Sequence, residues 1–400
     1  MEGKLLHIIG GGYNQVPLVN KAKAMGLKVL VTDLYDNPPC RILADFYEKI
    51  DTTDKESTYK AAVKHKIDFV ATDQTDVAVP TTAYIAEKLN LPGIGYQTSL
   101  RFTNKYLMRE ALKHTLPLNI PQYYFFNTPS EGIKFCKSHP KISEFIVKPI
   151  NSQGSKGVYK LNQVNFVDVI SSAFVESKSR GILIEQYLEG FEYSVEAYKD
   201  GPGKTYNIAL TKKYHYNSND CIDERNAWLG DTSEELEASL FDLNRKVIEA
   251  LELPFGITHA EYKVFKGRPY LIEIAARGGG GGISSKIVPF LTGFEPEQAL
   301  LNKILGIKQD IKIDNYKNRF AVLKFFNLKP GKIKHLHVNR NVIKDVFEFN
   351  LDIKEGDFIK VIKDSRDRPG YFIVNGLDRE KVLEKEKEVE EAVQVEYEKN

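Results

Sequence analysis

Glu261 and Glu273 stand in the run ITHAEYKVFKGRPYLIEIAARGGGGG at 257–282, which reads as two strands joined by a Lys266–Gly267 turn. With a side-chain period of two, His259, Glu261 and Lys263 share one face of the first strand. Leu271, Glu273 and Ala275 share one face of the second. Each strand thus offers one acid in an apolar setting, and cross-strand pairing brings two such carboxylates within ~5 Å. Bare, the pair would repel. A hard divalent cation, Mg²⁺ or Mn²⁺, resolves the conflict when it binds one or two carboxylates plus phosphate oxygens. Arg277 follows at once with five glycines, of which Gly278 and Gly279 are candidates for close backbone approach to an oxyanionic substrate.

A second chemical stretch is FIVKPINSQGSKGV at 145–158. A short strand delivers Lys148 into a loop carrying Ser152, Gly154, Ser155, Lys156, Gly157 and Val158. Glycines expose backbone N–H groups, and hydroxyls and lysines add donors, which is the chemistry of a polyphosphate cradle. The spacing is neither that of a Walker A loop nor that of a dinucleotide fingerprint. A third stretch, ILIEQYLEGFEYSVEAY from Ile182, places Glu185 and Glu192 at strand ends. There they can accept hydrogen bonds from an adenine amino group and ribose hydroxyls.

Two further segments must position substrates. A helix predicted over 99–114 carries Lys105 and Arg109 four residues apart on one face. The polar segment 212–231 holds the only tryptophan, Trp228, and Arg225, a candidate clamp for a carboxylate.

Taken together, the NKYLMR helix, the VKP strand with its Gly/Ser loop, IEQYLEGFEYSVE, THAEYK and LIEIAAR resemble the ATP-grasp superfamily over nearly the whole chain. The similarity is to its carboxylate–amine ligases, both the purine-pathway members such as phosphoribosylamine–glycine ligase and the L-amino acid ligases. The resemblance implies that Lys105 and Lys148 hold ATP phosphates under a mobile flap at Ser155–Val158. It implies that Glu185 and the backbone through Gln186, Tyr187 and Leu188 meet adenine, and that Glu192 meets ribose. Glu261 and Glu273 would bind metal, and Arg277 would stabilise an acyl phosphate and the transferring phosphoryl group. One departure is Ala275, where many relatives have Asn as a further metal ligand. The implied activity is ADP-forming: a small carboxylate is activated as an acyl phosphate and joined to an amine, as in an amino acid ligase. The alternatives are phosphoribosylamine–glycine ligase and an ATP-binding protein without turnover.

The rest of the chain fits an α/β and α+β architecture. Residues 1–95 alternate strand and helix as a Rossmann-like pre-ATP-grasp domain with a small parallel sheet. Residues 96–315 form the ATP-grasp domain, with a mobile subdomain at about 122–190, and 316–400 form a small C-terminal α+β domain with strands predicted at 320–326, 342–346 and 358–361. Gly10, Gly12 and Asp33 partly match a dinucleotide pattern and keep a nicotinamide-dependent dehydrogenase as a rival, though a tight turn that binds no nucleotide fits them better. With 42% hydrophobic and 28% charged residues and a net charge of +2, the composition is that of a soluble globular protein. Neither nucleic acid nor membrane is an expected partner, and a homodimer is an open option. Cys40, Cys136 and Cys221 have neither zinc-type nor disulfide spacing, which fits a reducing cytoplasm. His335 and His337 lack companion ligands at metal-like spacing.

Overall fold

A computed structural model describes residues 3–398 apart from 179, 218 and 315. Ser218 of the polar 212–231 segment therefore lies outside the described residues. The chain opens with β1 (Leu5–Ile9), α1 (Val16–Ala24), β2 (Lys28–Asp33), β3 (Phe46–Lys49), α2 (Lys55–His65), β4 (Phe69–Ala71) and α3 (Val79–Lys88). Its four strands pair in parallel in the order β3-β2-β1-β4. Every residue of β1 is buried, which explains its apolar run, interrupted only by His7. Strand order reverses between β1 and β4, and a sheet of this type takes its ligands in the crevice at the carboxyl ends beside such a point.

The glycine turn after β1 is closed by the chain itself. Gly11 N–H donates to Asp33 Oδ2 at 2.7 Å and Gly12 N–H to Gln15 Oε1 at 3.0 Å. Asp33 also accepts from Tyr35 N–H at 3.0 Å. The groups a dinucleotide would use are thus engaged within the turn.

The helix predicted over 99–114 is two helices, α4 (Tyr96–Thr103) and α5 (Lys105–Leu112). Asn104 between them is extended, and its Oδ1 accepts from the N–H groups of Tyr106 and Leu107 at 3.0 and 3.1 Å. A side-chain cap restarts the helix, so Lys105 becomes its first residue. Next come β5 (Tyr123–Phe126), α6 (Pro129–Ser138), β6 (Phe145–Pro149), β7 (Tyr159–Lys160), α7 (Phe166–Glu176) and β8 (Ile182–Gln186). They build a sheet of order β5-β8-β6-β7. Val147, Ile170, Ala173, Ile182 and Ile184 form its core against α6 and α7.

The largest sheet begins with β9 (Glu192–Gly201), β10 (Lys204–Tyr216) and β11 (Asn219–Trp228). After α8 (Glu234–Ala250) it continues with β12 (Gly256–Phe265) and β13 (Arg268–Ala275). A π-helical turn at Ile283–Ile287, α9 (Val288–Thr292) and α10 (Pro296–Ile304) lead to β14 (Phe320–Phe325) and β15 (Gly331–Val338). The chain ends with α11 (Arg340–Ile343), β16 (Glu348–Leu351), β17 (Phe358–Ile359), β18 (Gly370–Gly376), α12 (Arg379–Glu391) and β19 (Val393–Tyr397). Eight strands share one sheet in the order β13-β12-β9-β10-β11-β14-β18-β16. Hydrogen bonding therefore runs unbroken past residue 316, with Arg225 opposite Lys324 and Asn226 opposite Leu323. The strand predicted at 342–346 is instead α11, because Asn339 accepts from Asn341 N–H at 3.2 Å and caps a helical turn. Among the described residues no helix is long and apolar enough to cross a membrane.

Candidate active site

The face of β9, β10, β12 and β13 and the facing sheet of β6 and β8 enclose a cleft of about 1040 Å³, counting space open to solvent. Lys105, Lys148, Ser152, Gly154, Ser155, Val158, Gln186, Tyr187, Leu188, Glu192, Glu261, Glu273 and Arg277 all line it. Four segments far apart in the sequence thus meet at one place.

Lys148 enters from β6 and rests at 3.0 Å on Glu185 Oε2. Glu185 also accepts from Arg109 Nε at 2.8 Å, while Arg109 Nη2 donates to the Ile272 carbonyl at 2.8 Å. Burial alone would raise the Glu185 carboxyl, but the two cations hold it down at about 2. Glu185 does not line the cleft, and this corrects its expected contact with adenine: its oxygens are committed to Arg109 and Lys148. Lys105 Nζ donates to Glu273 Oε1 at 2.6 Å and to the Ser152 carbonyl at 2.8 Å.

The Gly/Ser loop is folded down over this end. Gly154, Ser155 and Gly157 all have positive φ, of 67°, 59° and 72°. Ser152 Oγ donates to the Lys156 carbonyl at 2.7 Å and Ser155 Oγ to that of Cys221 at 2.6 Å. Lys156 and Gly157 do not line the cleft. Ser365 N–H, from the segment between β17 and β18, donates to the Gly154 carbonyl at 3.2 Å.

Glu261 and Glu273 are direct cross-strand partners on β12 and β13. Glu261 accepts from Lys213 Nζ at 2.6 Å, and Lys213 also meets Glu192 Oε1 at 2.9 Å. Burial opposes the charge on Lys213, yet Glu192, Glu261 and Asp223 raise its pKa well above the lysine range. His259 lies between Glu196 and Glu261; burial lowers it, but the carboxylates prevail and bring it up to about 9. Lys213, His215, Asp223 and His259 belong to the cleft wall and were not assigned from sequence. Lys213 and Asp223 sit in the polar segment singled out for Arg225, and strand alternation alone could have drawn attention to them.

A metal is tested by the donor set. Among the described residues no group of three or more His, Cys, Asp or Glu is placed to hold one. Two hard oxygen donors facing each other, Glu261 and Glu273, fit a Mg²⁺ whose remaining ligands are phosphate and water.

Three expected substrate contacts are corrected. Arg225 points away from the cleft to α12, where Nε and Nη2 grip Glu386 at 2.6 and 2.8 Å. Gly278 N–H donates to Asp73 Oδ1 at 2.7 Å and Gly279 N–H to Glu196 Oε2 at 3.2 Å, so both are occupied by carboxylates of the protein. Arg277 does reach the cleft, held by Asp76 from the β4–α3 loop at 2.8 and 3.0 Å.

Residues 142–286 match the family model of the ATP-grasp domain. More particularly, residues 324–398 match the L-amino acid ligase C-terminal domain 2. The fold is similar to that of an L-amino acid ligase from Bacillus licheniformis, with a TM-score of 0.82 and 21% identity, covering 100% of both chains. It is also similar to phosphoribosylglycinamide synthetase from Anaerococcus prevotii, with a TM-score of 0.73 and 20% identity, covering 99% of this chain and 100% of the other. In sequence it is 26% identical over 198 residues to a formate-dependent phosphoribosylglycinamide formyltransferase of Prochlorococcus marinus, covering 48% of this chain and 49% of that one. The chain spans about half the length of that curated relative.

Proposed function

We propose that the protein is an ATP-dependent, ADP-forming ligase that activates a small carboxylate as an acyl phosphate and joins it to an amine, as an amino acid ligase does. The observation that carries this reading is the convergence of Lys105, Lys148, the Glu261/Glu273 pair and Arg277 on one cleft beneath the Gly/Ser loop. Phosphoryl transfer asks a protein chiefly for alignment and charge neutralisation. Lys105 and Lys148 bind phosphate oxygens, and Arg277 orients the carboxylate and the acyl phosphate formed from it. Glu261 and Glu273 are the residues that would hold Mg²⁺, which supplies Lewis-acid neutralisation of phosphate charge. The loop from Ser152 to Val158 excludes water from the acyl phosphate, whose hydrolysis would waste it. Gln186, Tyr187, Leu188 and Glu192 are the cleft residues left for the nucleoside.

Three free cysteines, two of them buried, support a cytoplasmic setting. The test is ADP and phosphate release from Mg-ATP against pools of amino acids, small carboxylates and phosphoribosylamine, with AMP assayed in parallel. Release that needs one carboxylate and one amine, and is lost in Lys148→Ala and Glu273→Ala, supports the ligase. AMP as product would overturn the acyl phosphate route.

A further inference from the structure

Behind Arg277 lies a second cavity, of about 60 Å³, between the carboxyl end of β4 and the strand β12. Val70, Val79, Ala83, Phe255, Leu300 and Ile304 are among its apolar walls, and Asp73 and Arg277 are its charged residues. Arg277 also lines the main cleft, so the two spaces share that residue. Glu297 precedes Leu300 and Ile304 on the same face of α10.

Of the buried acceptors nearby, Asp73 lines the cavity, and Gln74, Glu297 and Ser284 stand beside it. Asp73, Gln74, Glu297 and Ser284 are all at least nine-tenths buried. Asp73 Oδ2, Gln74 Oε1, Glu297 Oε2 and Ser284 Oγ have no hydrogen-bond partner among the described residues. They are mutually close: Gln74 Nε2 donates to Glu297 Oε1 at 3.3 Å. A Cβ on Gly278 would fall 2.2 Å from Ser284 Oγ and 3.3 Å from Asp73 Oδ1. Buried acceptors without donors are costly, and a group bearing several N–H donors and a positive charge answers them. The recess also lies at the β1/β4 switch point, where a sheet of this topology takes ligands.

We propose that this recess binds the ammonium group of the amine substrate and that the apolar cavity takes its substituent, a branched aliphatic group. The assignment rests on the ligase reading above for its place in a reaction. With about 60 Å³ open to the centres of water-sized groups, against about 160 Å³ in the main cleft, the cavity suits a small substituent. The shared chemistry is an aliphatic primary ammonium, carried either by an apolar α-amino acid or by a simple alkylamine.

The recess also supplies the proton acceptor. Burial pushes both carboxyls up; the Gly278 and Gln74 N–H groups and Arg277 oppose the shift at Asp73, and the neighbouring Asp73 carboxylate adds to that at Glu297. Ionised Asp73 takes one proton from the ammonium, and the freed lone pair forms the C–N bond to the acyl carbon. The C–O bond to the phosphoryl group breaks, and phosphate leaves with that electron pair and the amine's second proton.

The test is calorimetric titration of the full chain with leucine, 3-methylbutylamine, 3-methylbutanoate and glycine. Leucine or 3-methylbutylamine should bind, and binding should weaken roughly tenfold or more in Asp73→Asn and Glu297→Gln. Ala83→Leu, which fills the apolar end, should weaken the branched amine while sparing glycine. Lys308→Gln, an exposed charge beyond the end of α10, should change nothing. Tighter binding of leucine than of 3-methylbutylamine assigns an amino acid; the reverse assigns an alkylamine. Binding of 3-methylbutanoate as tight as that of the amines, no amine binding up to the solubility limit, or affinities unmoved by all three recess and cavity variants would overturn the assignment. Failure of the ligase reading is seen separately, as absence of carboxylate-dependent ADP release while amine binding persists.

Discussion

Glu185 lies outside the cleft wall and supports Lys148 from behind, its Oε2 3.0 Å from the lysine ammonium. With Arg109 on its other oxygen at 2.8 Å, it is a structural anchor for the lysine proposed to bind phosphate. Glu185→Gln leaves two buried cations short of a counter-charge and should cost about 3–5 kcal/mol of stability, read by denaturant unfolding. An unchanged unfolding midpoint would contradict the anchor.

Acid sensitivity follows from the same residue and from His7. The Glu185 carboxyl is depressed to about 2 when folded, so its contribution is complete above the ordinary carboxylate range and is lost as pH falls toward 2. Burial holds His7 down at about 3, so the unfolded chain binds its proton first and stability begins to fall below about 6.5. Unfolding midpoints measured from pH 8 to pH 4 should decline, and His7→Gln should flatten the upper part of that decline.

Arg225 is expected to matter for stability and not for substrate affinity. Arg225→Ala leaves Glu386, 6% exposed, without its bidentate partner on α12. It should lower stability by about 3 kcal/mol with the KM of each substrate unchanged. A large rise in one KM at unchanged stability would restore the clamp.

The carboxylate pair predicts a metal requirement. Glu261→Gln and Glu273→Gln should each raise the Mg²⁺ concentration for half-maximal ADP release by roughly tenfold or more, and chelation should abolish turnover in the parent protein. Equal Mg²⁺ dependence in parent and variants would remove these residues from the site.

Gly154 tests the covering loop. Its φ of 67° is strained for other residues, and a Cβ would lie 2.2 Å from Ser365 Oγ. Gly154→Ala should lower turnover by forcing the loop off the β17–β18 segment, and adding Ser365→Gly should restore part of it. Full activity in the single variant would show that this contact is dispensable.

Periodicity and short motifs were enough to determine many of the elements and many of the residues that line the cleft. Alternation placed Glu261 and Glu273 on facing strands, and the β6 motif placed Lys148 at the mouth of a glycine loop, because local backbone period dictates which side chains share a face. The parallel N-terminal sheet was equally legible from strand–helix alternation. The break at Asn104 and the short helix at 340–343 were not, since each depends on a single side-chain cap. Tertiary structure alone decided which charge meets which. Arg225 and Glu386 are 161 residues apart in the chain, and Arg109, Lys148 and Glu185 come from three elements. Whether a carboxylate faces a ligand or neutralises a neighbour depends on long-range packing, which strand period does not encode.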